Sequence, residues 1–378
     1  MKASPNALKE VAGLFLKLGV VAFGGPAAHI SMMQQEVVYK RKWMTEQHFL
    51  DLLGATNLIP GPNSTEMAIH LGYERAGWKG LIAAGVLFIF PAALITGCFA
   101  WLYKEYGMLP QVQPFIYGIK PAIIAIILAA VFPLAKISAK NFTLVVIGAA
   151  ALVFALIGYN EIYIMLGAGI IMMILHAIQT NKFSSAGGVF VPFTLLQTPA
   201  TSIITVTNTQ LFFSFLKIGS ILYGSGYVLF AFLDTELVKK GIITRQLLVD
   251  AIAVGQFTPG PVSSAVTFIG YQLNGFSGAA ISTLGIFLPC FVFVALLNPL
   301  VKKMRSSTFF AVFLDAVNIA SVAVIVAVCF AIGKESITDW RTIIITLLSM
   351  IVVFGFKKVN TVFIVLGGSL LGYLLAFV

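Results

Sequence analysis

The stretch Leu58-Ile59-Pro60-Gly61-Pro62-Asn63-Ser64-Thr65 lies inside a long apolar segment, and its reading decides the fold. Pro60 and Pro62 have no backbone N–H to donate, and Pro62 pushes Gly61 out of helical geometry. A helix cannot run through this point. Inside a bilayer, broken backbone survives only where protein or a water-filled cavity covers it. Ser64 and Thr65 are good residues to begin a new half-helix. The same word returns in the second half of the chain as Phe257-Thr258-Pro259-Gly260-Pro261-Val262-Ser263-Ser264. Matched interruptions in two halves of an apolar chain point to a transporter's binding site.

The composition around that pair leaves one class open. The chain has 378 residues, 59% of them hydrophobic and 10% charged, against about a quarter charged in soluble domains. It reads as an all-α polytopic membrane protein. The net charge of +10 is spread over short loops, with no basic face for a nucleic acid; basic loops of this kind set topology. Cys98, Cys290 and Cys329 fall in apolar segments without zinc-type spacing, so no metal or other cofactor is implied. Lys2 and Lys9 precede the first apolar stretch, and no small-residue cleavage pattern marks a removable signal.

The duplication reaches well beyond the broken segments. Phe15-Leu16-Lys17-Leu18-Gly19 matches Phe215-Leu216-Lys217-Ile218-Gly219, Glu36 matches Glu236, and Lys40 matches Lys240. Asp51 matches Asp250, Leu71-Gly72-Tyr73 matches Ile269-Gly270-Tyr271, and Phe90-Pro91 matches Leu288-Pro289. Apolar coincidence does not align lysine, glutamate, glycine and proline together. Residues 1–180 read as an N-terminal repeat, 181–204 as a more polar linker, and 205–378 as a C-terminal repeat. The basic loops with Lys40-Arg41-Lys42, Arg75/Lys79 and Lys136/Lys140 share one side in the first half. In the second half, Lys302-Lys303-Arg305 and Lys357-Lys358 lie opposite that half's Pro-Gly-Pro loop. The basic side flips, which predicts two inverted-topology repeats, about ten crossings, and broken or re-entrant helices at the Pro-Gly-Pro motifs. This arrangement places Lys2 and Lys9 outside. The alternative is that the first segment also turns back, which changes the parity.

A half-helix beginning at Ser64 presents unpaired N–H groups and about half a positive charge. In a dry pocket those donors suit an anion. Ser64, Thr65, Ser263 and Ser264 add hydroxyls, so Pro60, Gly61, Pro62, Asn63 and Pro259, Gly260, Pro261 with these side chains form the candidate site. The alternative is a kinked helix whose hydroxyls bond back to carbonyls. Gly24, Gly25 and Pro26 match Gly224, Ser225 and Gly226; they mark a second break or a close helix contact. Lys17 and Lys217 can supply positive charge to an anion or snorkel to the headgroups. Lys120 is a further intramembrane cation; Asn318 takes its place in the second half, and Asp315 is a candidate partner across the repeats. Glu66, His29 and His70 are candidates to carry protons, or are structural partners. Glu36/Glu236 and Asp51/Asp250 read as solvated or salt-bridged. No nucleophile elbow, nucleotide-binding glycine loop or His-Glu-x-x-His word is present, so the chain does not read as an enzyme.

Three stretches carry a family resemblance: Phe23-Gly24-Gly25-Pro26-Ala27-Ala28-His29-Ile30, Trp43…Phe49…Asp51-Leu52-Leu53, and Pro60-Gly61-Pro62-Asn63-Ser64-Thr65-Glu66-Met67-Ala68-Ile69-His70-Leu71-Gly72-Tyr73. They resemble the signature of the chromate ion transporter family. Tyr223 through Pro261 resembles that family's C-terminal repeat, and the long, two-repeat form fits the chain. The resemblance implies transport of chromate, an oxyanion shaped like sulfate, usually outward across the cell membrane and conferring resistance. It also implies a possible homodimer, a state such proteins often adopt. The second copy departs from the first where Ser225-Gly226 replaces Gly25-Pro26, so the two half-sites need not be equivalent.

Overall fold

The computed structural model describes residues 6–57, 59–180, 206–223, 226–297, 308–356 and 359–377. The expected linker and the candidate residues Gly224 and Ser225 lie outside them. The described residues are helical without strands. The first repeat holds α1 (Ala7–Val21), α2 (Pro26–Gln34), α3 (Glu46–Thr56), α4 (Asn63–Tyr106), α5 (Gln113–Ser138), α6 (Phe142–Ile157) and α7 (Glu161–Gln179). The second holds α8 (Asn208–Ile221), α9 (Val228–Leu233), α10 (Arg245–Phe257), α11 (Ala265–Leu297), α12 (Thr308–Ser336), α13 (Trp340–Gly355) and α14 (Thr361–Leu375). The duplication is visible in irregular details. Helices α2 and α9 each run into a π-helical turn, Gln35–Lys40 and Asp234–Val238. Helices α4 and α11 bend at Ala76-Gly77 and Asn274-Gly275, where both glycines take a left-handed φ.

Each repeat opens with two helical hairpins that turn back. Helix α3 has 11 residues, about 16 Å at 1.5 Å per residue, too short for a hydrocarbon core of ~30 Å. Its start lies beside the bend of α4, with His48 Nε2 3.2 Å from Glu74 Oε2. The chain therefore enters along α3, turns at Pro60-Gly61-Pro62 and returns along residues 63–75. Helix α1 begins at the same end, where Arg75 meets Glu10 at 2.7 Å. Helix α2 also finishes there, since the guanidinium groups of Arg41 and Arg75 both lie over the Trp43 ring. The apolar run from Val11 to Met33 thus turns back on itself, with α1 and α2 as a second helical hairpin. Glycine and proline at 24–26 stop the helix half-way.

The long helices follow. Five described helices are long and apolar enough to cross a membrane: Asn63–Tyr106, Gln113–Ser138, Glu161–Gln179, Val262–Leu296 and Thr308–Ser336. Beyond its bend, α4 exposes Trp78, Ile82, Val86, Phe90, Leu94 and Trp101. Those spacings of four and seven residues keep them on one helical stripe, suited to lipid. The two tryptophans stand about 35 Å apart along the helix, the separation of the two interfacial belts. The halves are interlaced. Helix α5 packs against α13 and α14, and α12 packs against α6 and α7. Gly118 of α5 meets Gly368 and Gly372 of α14 backbone to backbone, the close approach that small residues allow between membrane helices. Helices α5 and α12 also pack on each other and run antiparallel. Lys140, just past the end of α5, pairs with Asp315 near the start of α12 at 2.6 Å. Tyr117 and Lys120, early in α5, share a cleft with Glu335 and Ser336 at the end of α12.

Candidate functional site

The two Pro-Gly-Pro turns are joined reciprocally. Gly61 N–H donates to Leu222 O at 2.7 Å, and Gly260 N–H donates to Ala22 O at 2.8 Å. Leu222 and Ala22 follow the ends of α8 and α1. Each broken loop thus satisfies a carbonyl that the other repeat's half-helix leaves orphaned. Both glycines have positive φ, +150° and +86°, and neither has room for a side chain. A Cβ at Gly61 would overlap the Glu66 carboxyl and approach Cys290 Sγ; one at Gly260 would sit 2.6 Å from Ala92 Cβ. Ala92 lies about midway between Trp78 and Trp101, so the turns meet at mid-depth.

The side chains at the two turns differ. At the second, Thr96 Oγ1 donates within a buried hydroxyl cluster, 3.3 Å from Thr258 Oγ1 and 3.2 Å from Ser264 Oγ. At the first, Glu66 is fully buried, yet neither carboxyl oxygen has a hydrogen-bond partner among the described residues. His70, one turn on along the same face, is 1% exposed with both ring nitrogens unpartnered. The buried hydroxyls of Thr65 and Ser263 are also unpartnered. Ser64 is buried beside them. His29 does have a role: its Nε2 lies 3.1 Å from Ala22 O and its ring packs edge-on to Phe88, tying the start of α2 to the end of α1.

The first turn reaches open space. A cleft of about 500 Å³ runs between α3, α5 and α12 and includes Asn57, Asn63, Lys140, Asp315 and Asn318. A neighbouring cleft of about 560 Å³ shares Ile30, Asn63, Leu134 and Ile137 with it and adds Gly25, Pro26 and Tyr227. Asn63 is the first residue of α4 and Pro26 the first of α2, so two half-helix N-termini face the joined clefts. Asn63 Nδ2 donates to Asn57 Oδ1 at 2.8 Å. Asn57 was missed from sequence, although a polar residue one turn before the break, inside an apolar segment, is a readable signal. On the second turn, Val262 stands where Asn63 does, and it is buried with Pro259, Gly260 and Pro261.

The candidate lysines are engaged elsewhere. Lys17 meets Glu36 at 3.0 Å, and Lys40 meets the same carboxylate at 3.1 Å. Lys217 and Lys240 hold Glu236 in the same way, each at 2.6 Å. The matched lysines and glutamates of the sequence are one motif that fastens α1 to the turn after α2, and α8 to the turn after α9. Lys120 lies 3.5 Å from Asp250. It does not pair with Asp315, which takes Lys140.

A family model described as Chromate transporter matches residues 9–173 and again 209–373. The chain belongs to the chromate transporter family. The double match follows the two repeats and covers both Pro-Gly-Pro turns. The chromate transport protein of Cupriavidus metallidurans is 31% identical over 377 residues, covering 97% of this chain and 92% of that protein. The probable chromate transport protein of Synechococcus elongatus is 30% identical over 362 residues, covering 91% and 89%. The chromate transport protein of Pseudomonas aeruginosa is 27% identical over 388 residues, covering 98% and 93%. No solved structure matches the chain. With its long apolar helices, this member of the family is a multi-pass membrane transporter.

Proposed function

We propose that this chain exports chromate, or an oxyanion of the same tetrahedral shape such as sulfate, across the cell membrane. One observation carries the reading: the start of α4 at Asn63, a half-helix N-terminus with no side-chain cap, faces the large cleft beside Asn57 and Asn318. Such a terminus offers N–H donors and partial positive charge to an anion. The start of α2 at Gly25-Pro26 borders the same space. The joined turns, Pro60-Gly61-Pro62 and Pro259-Gly260-Pro261, fix the two repeats around the site, with Ser64, Thr65, Ser263 and Ser264 as hydroxyl donors close by. The antiparallel pairing of α5 with α12 supports inverted repeats, and rocking of one repeat against the other gives alternating access. The large cleft opens at the end that carries Lys40-Arg41-Lys42, Arg75, Lys79, Lys136 and Lys140, the cytoplasmic side by the positive-inside rule. An inside-negative potential moves a dianion outward with about 4.6 kcal/mol per 100 mV, at ~2.3 per charge.

Glu66 fits a proton carried with the anion. A buried carboxylate without a partner is costly, and a carboxyl beside an anion site is compatible with the anion only when protonated. Among the described residues, Tyr223 and Cys290 from the second repeat are titratable groups near it, and His70 lies one turn on along its own helix. The test is flux of radiolabelled chromate in proteoliposomes of the purified chain under an imposed potential. Saturable, potential-driven flux that sulfate competes supports the reading. No flux of either anion overturns it.

A further inference from the structure

Helix α12 is an apolar rod with three exceptions. Between Phe309 and Val328, its only residues with polar side chains are Asp315, Asn318 and Ser321. Steps of three residues keep neighbours on one side of a helix, and all three residues line the large cleft. They climb α12 by about 4.5 Å per step. Polar side chains within a membrane segment are costly unless they meet one another, the backbone or a water-filled cavity. Each of the three therefore needs a reason.

Two have one inside the chain. Asp315 pairs with Lys140 at 2.6 Å, which balances its charge near the start of the helix. The Ser321 hydroxyl donates back to Asn318 O at 2.8 Å and is buried. Asn318 is different. It is half-buried on the cleft wall, and among the described residues its amide makes no hydrogen bond. An amide that joined two membrane helices would be bonded across them.

The other repeat supplies an independent observation. The mate of Asn318 is Lys120 on α5, and the mate of Asp315 is Tyr117. Both line a smaller cleft of about 200 Å³ at the other end of the antiparallel α5–α12 pair. The same helix position thus faces a polar cleft in each repeat, and in each it carries an N–H donor. In the large cleft, Asn57 and Asn63 come from the first repeat and Asn318 from the second.

We propose that Asn318 is the second repeat's ligand to the oxyanion: its amide N–H donates to an oxygen of the anion held at the start of α4. The anion is then held between the repeats, where transporters of this design bind their cargo. A neutral donor contributes a hydrogen bond without adding a full charge that would slow release. The proposal rests on the anion reading of the α4 terminus.

The test is equilibrium binding of radiolabelled chromate to the purified chain in nanodiscs, where both faces meet the solution. Asn318→Leu removes the donor at similar size and should weaken binding on the order of tenfold, the loss of one hydrogen bond to a charged group. Asn318→Ser, which also withdraws the amide, should weaken it as well. Asn318→Asp keeps the shape but sets a carboxylate against the anion, and its binding should fall below that of Asn318→Leu. Without anion, Asn318→Leu should unfold at or above the temperature of the parent, because the amide bonds nothing in the chain. Saturable binding in the parent that Asn318→Leu and Asn318→Ser leave unchanged overturns the assignment while the anion site at α4 stands. A binding loss matched by a lower unfolding temperature in anion-free Asn318→Leu makes Asn318 a structural residue and also overturns it. No saturable binding in the parent overturns both readings.

Discussion

The turns at Pro60-Gly61-Pro62 and Pro259-Gly260-Pro261 are alike in backbone and unlike in chemistry. Both use a positive-φ glycine to donate to the end of the other repeat's first helix. Around that shared geometry, the first turn has Asn63 on open clefts and an unpartnered Glu66 and His70. The second has buried Val262 and a closed hydroxyl cluster. The backbone symmetry is what builds the crossing point at mid-depth. The side-chain asymmetry is why the proposed site lies at one turn, with the other as its support.

The largest effect should come from breaking the shared backbone. Gly260→Ala places a Cβ on the rigid Ala92 and strains a left-handed residue, an expected loss of about 2–4 kcal/mol. Thermal unfolding in detergent reads it, and Ala92→Gly in the same chain should return part of the loss. Gly61→Ala should cost less, because the group it meets is the movable end of Glu66. Equal losses at the two glycines would contradict the packing described for them. Next is Thr96→Val, which leaves Thr258 and Ser264 hydroxyls buried without their partner and should destabilise by about 1–2 kcal/mol. Glu66→Gln should cost no stability; its effect is on pH. Flux through the parent falls as pH rises and Glu66 loses its proton beside the anion, while Glu66→Gln gives a flat profile. A parallel fall in both chains would remove Glu66 from the coupling. Smallest are the paired lysines. Lys17→Ala leaves Glu36 with Lys40 and Arg41, and Lys217→Ala leaves Glu236 with Lys240. Unfolding shifts of at most about 1 kcal/mol are expected, the smaller at exposed Lys17.

Much of this was legible in the residues. Proline, glycine and lysine recurring in step exposed the duplication and both broken segments, because those residues act through local geometry and charge. Lys17 and Lys217 were matched for a different reason from the one their position implied: each had a glutamate mate on a helix that only the hairpin brings near. The turn at 24–26 looked like a packing glycine or a break, and no rule of spacing separates the two. Thr96 and the partner of Lys120 were hidden for the same physical cause. Their contacts join distant elements across the interlaced repeats, and periodicity carries no information about that.

The central claim is that an oxyanion binds at the start of α4, and Asn63→Asp tests it most directly. An aspartate in the first turn favours the helix through its dipole, so the fold should hold, while its charge stands where the anion must sit. Flux of radiolabelled chromate in proteoliposomes should be abolished in Asn63→Asp and retained in Asn63→Gln, with unfolding temperatures at or above that of the parent chain. Flux at the parent rate through a fully folded Asn63→Asp would contradict the account.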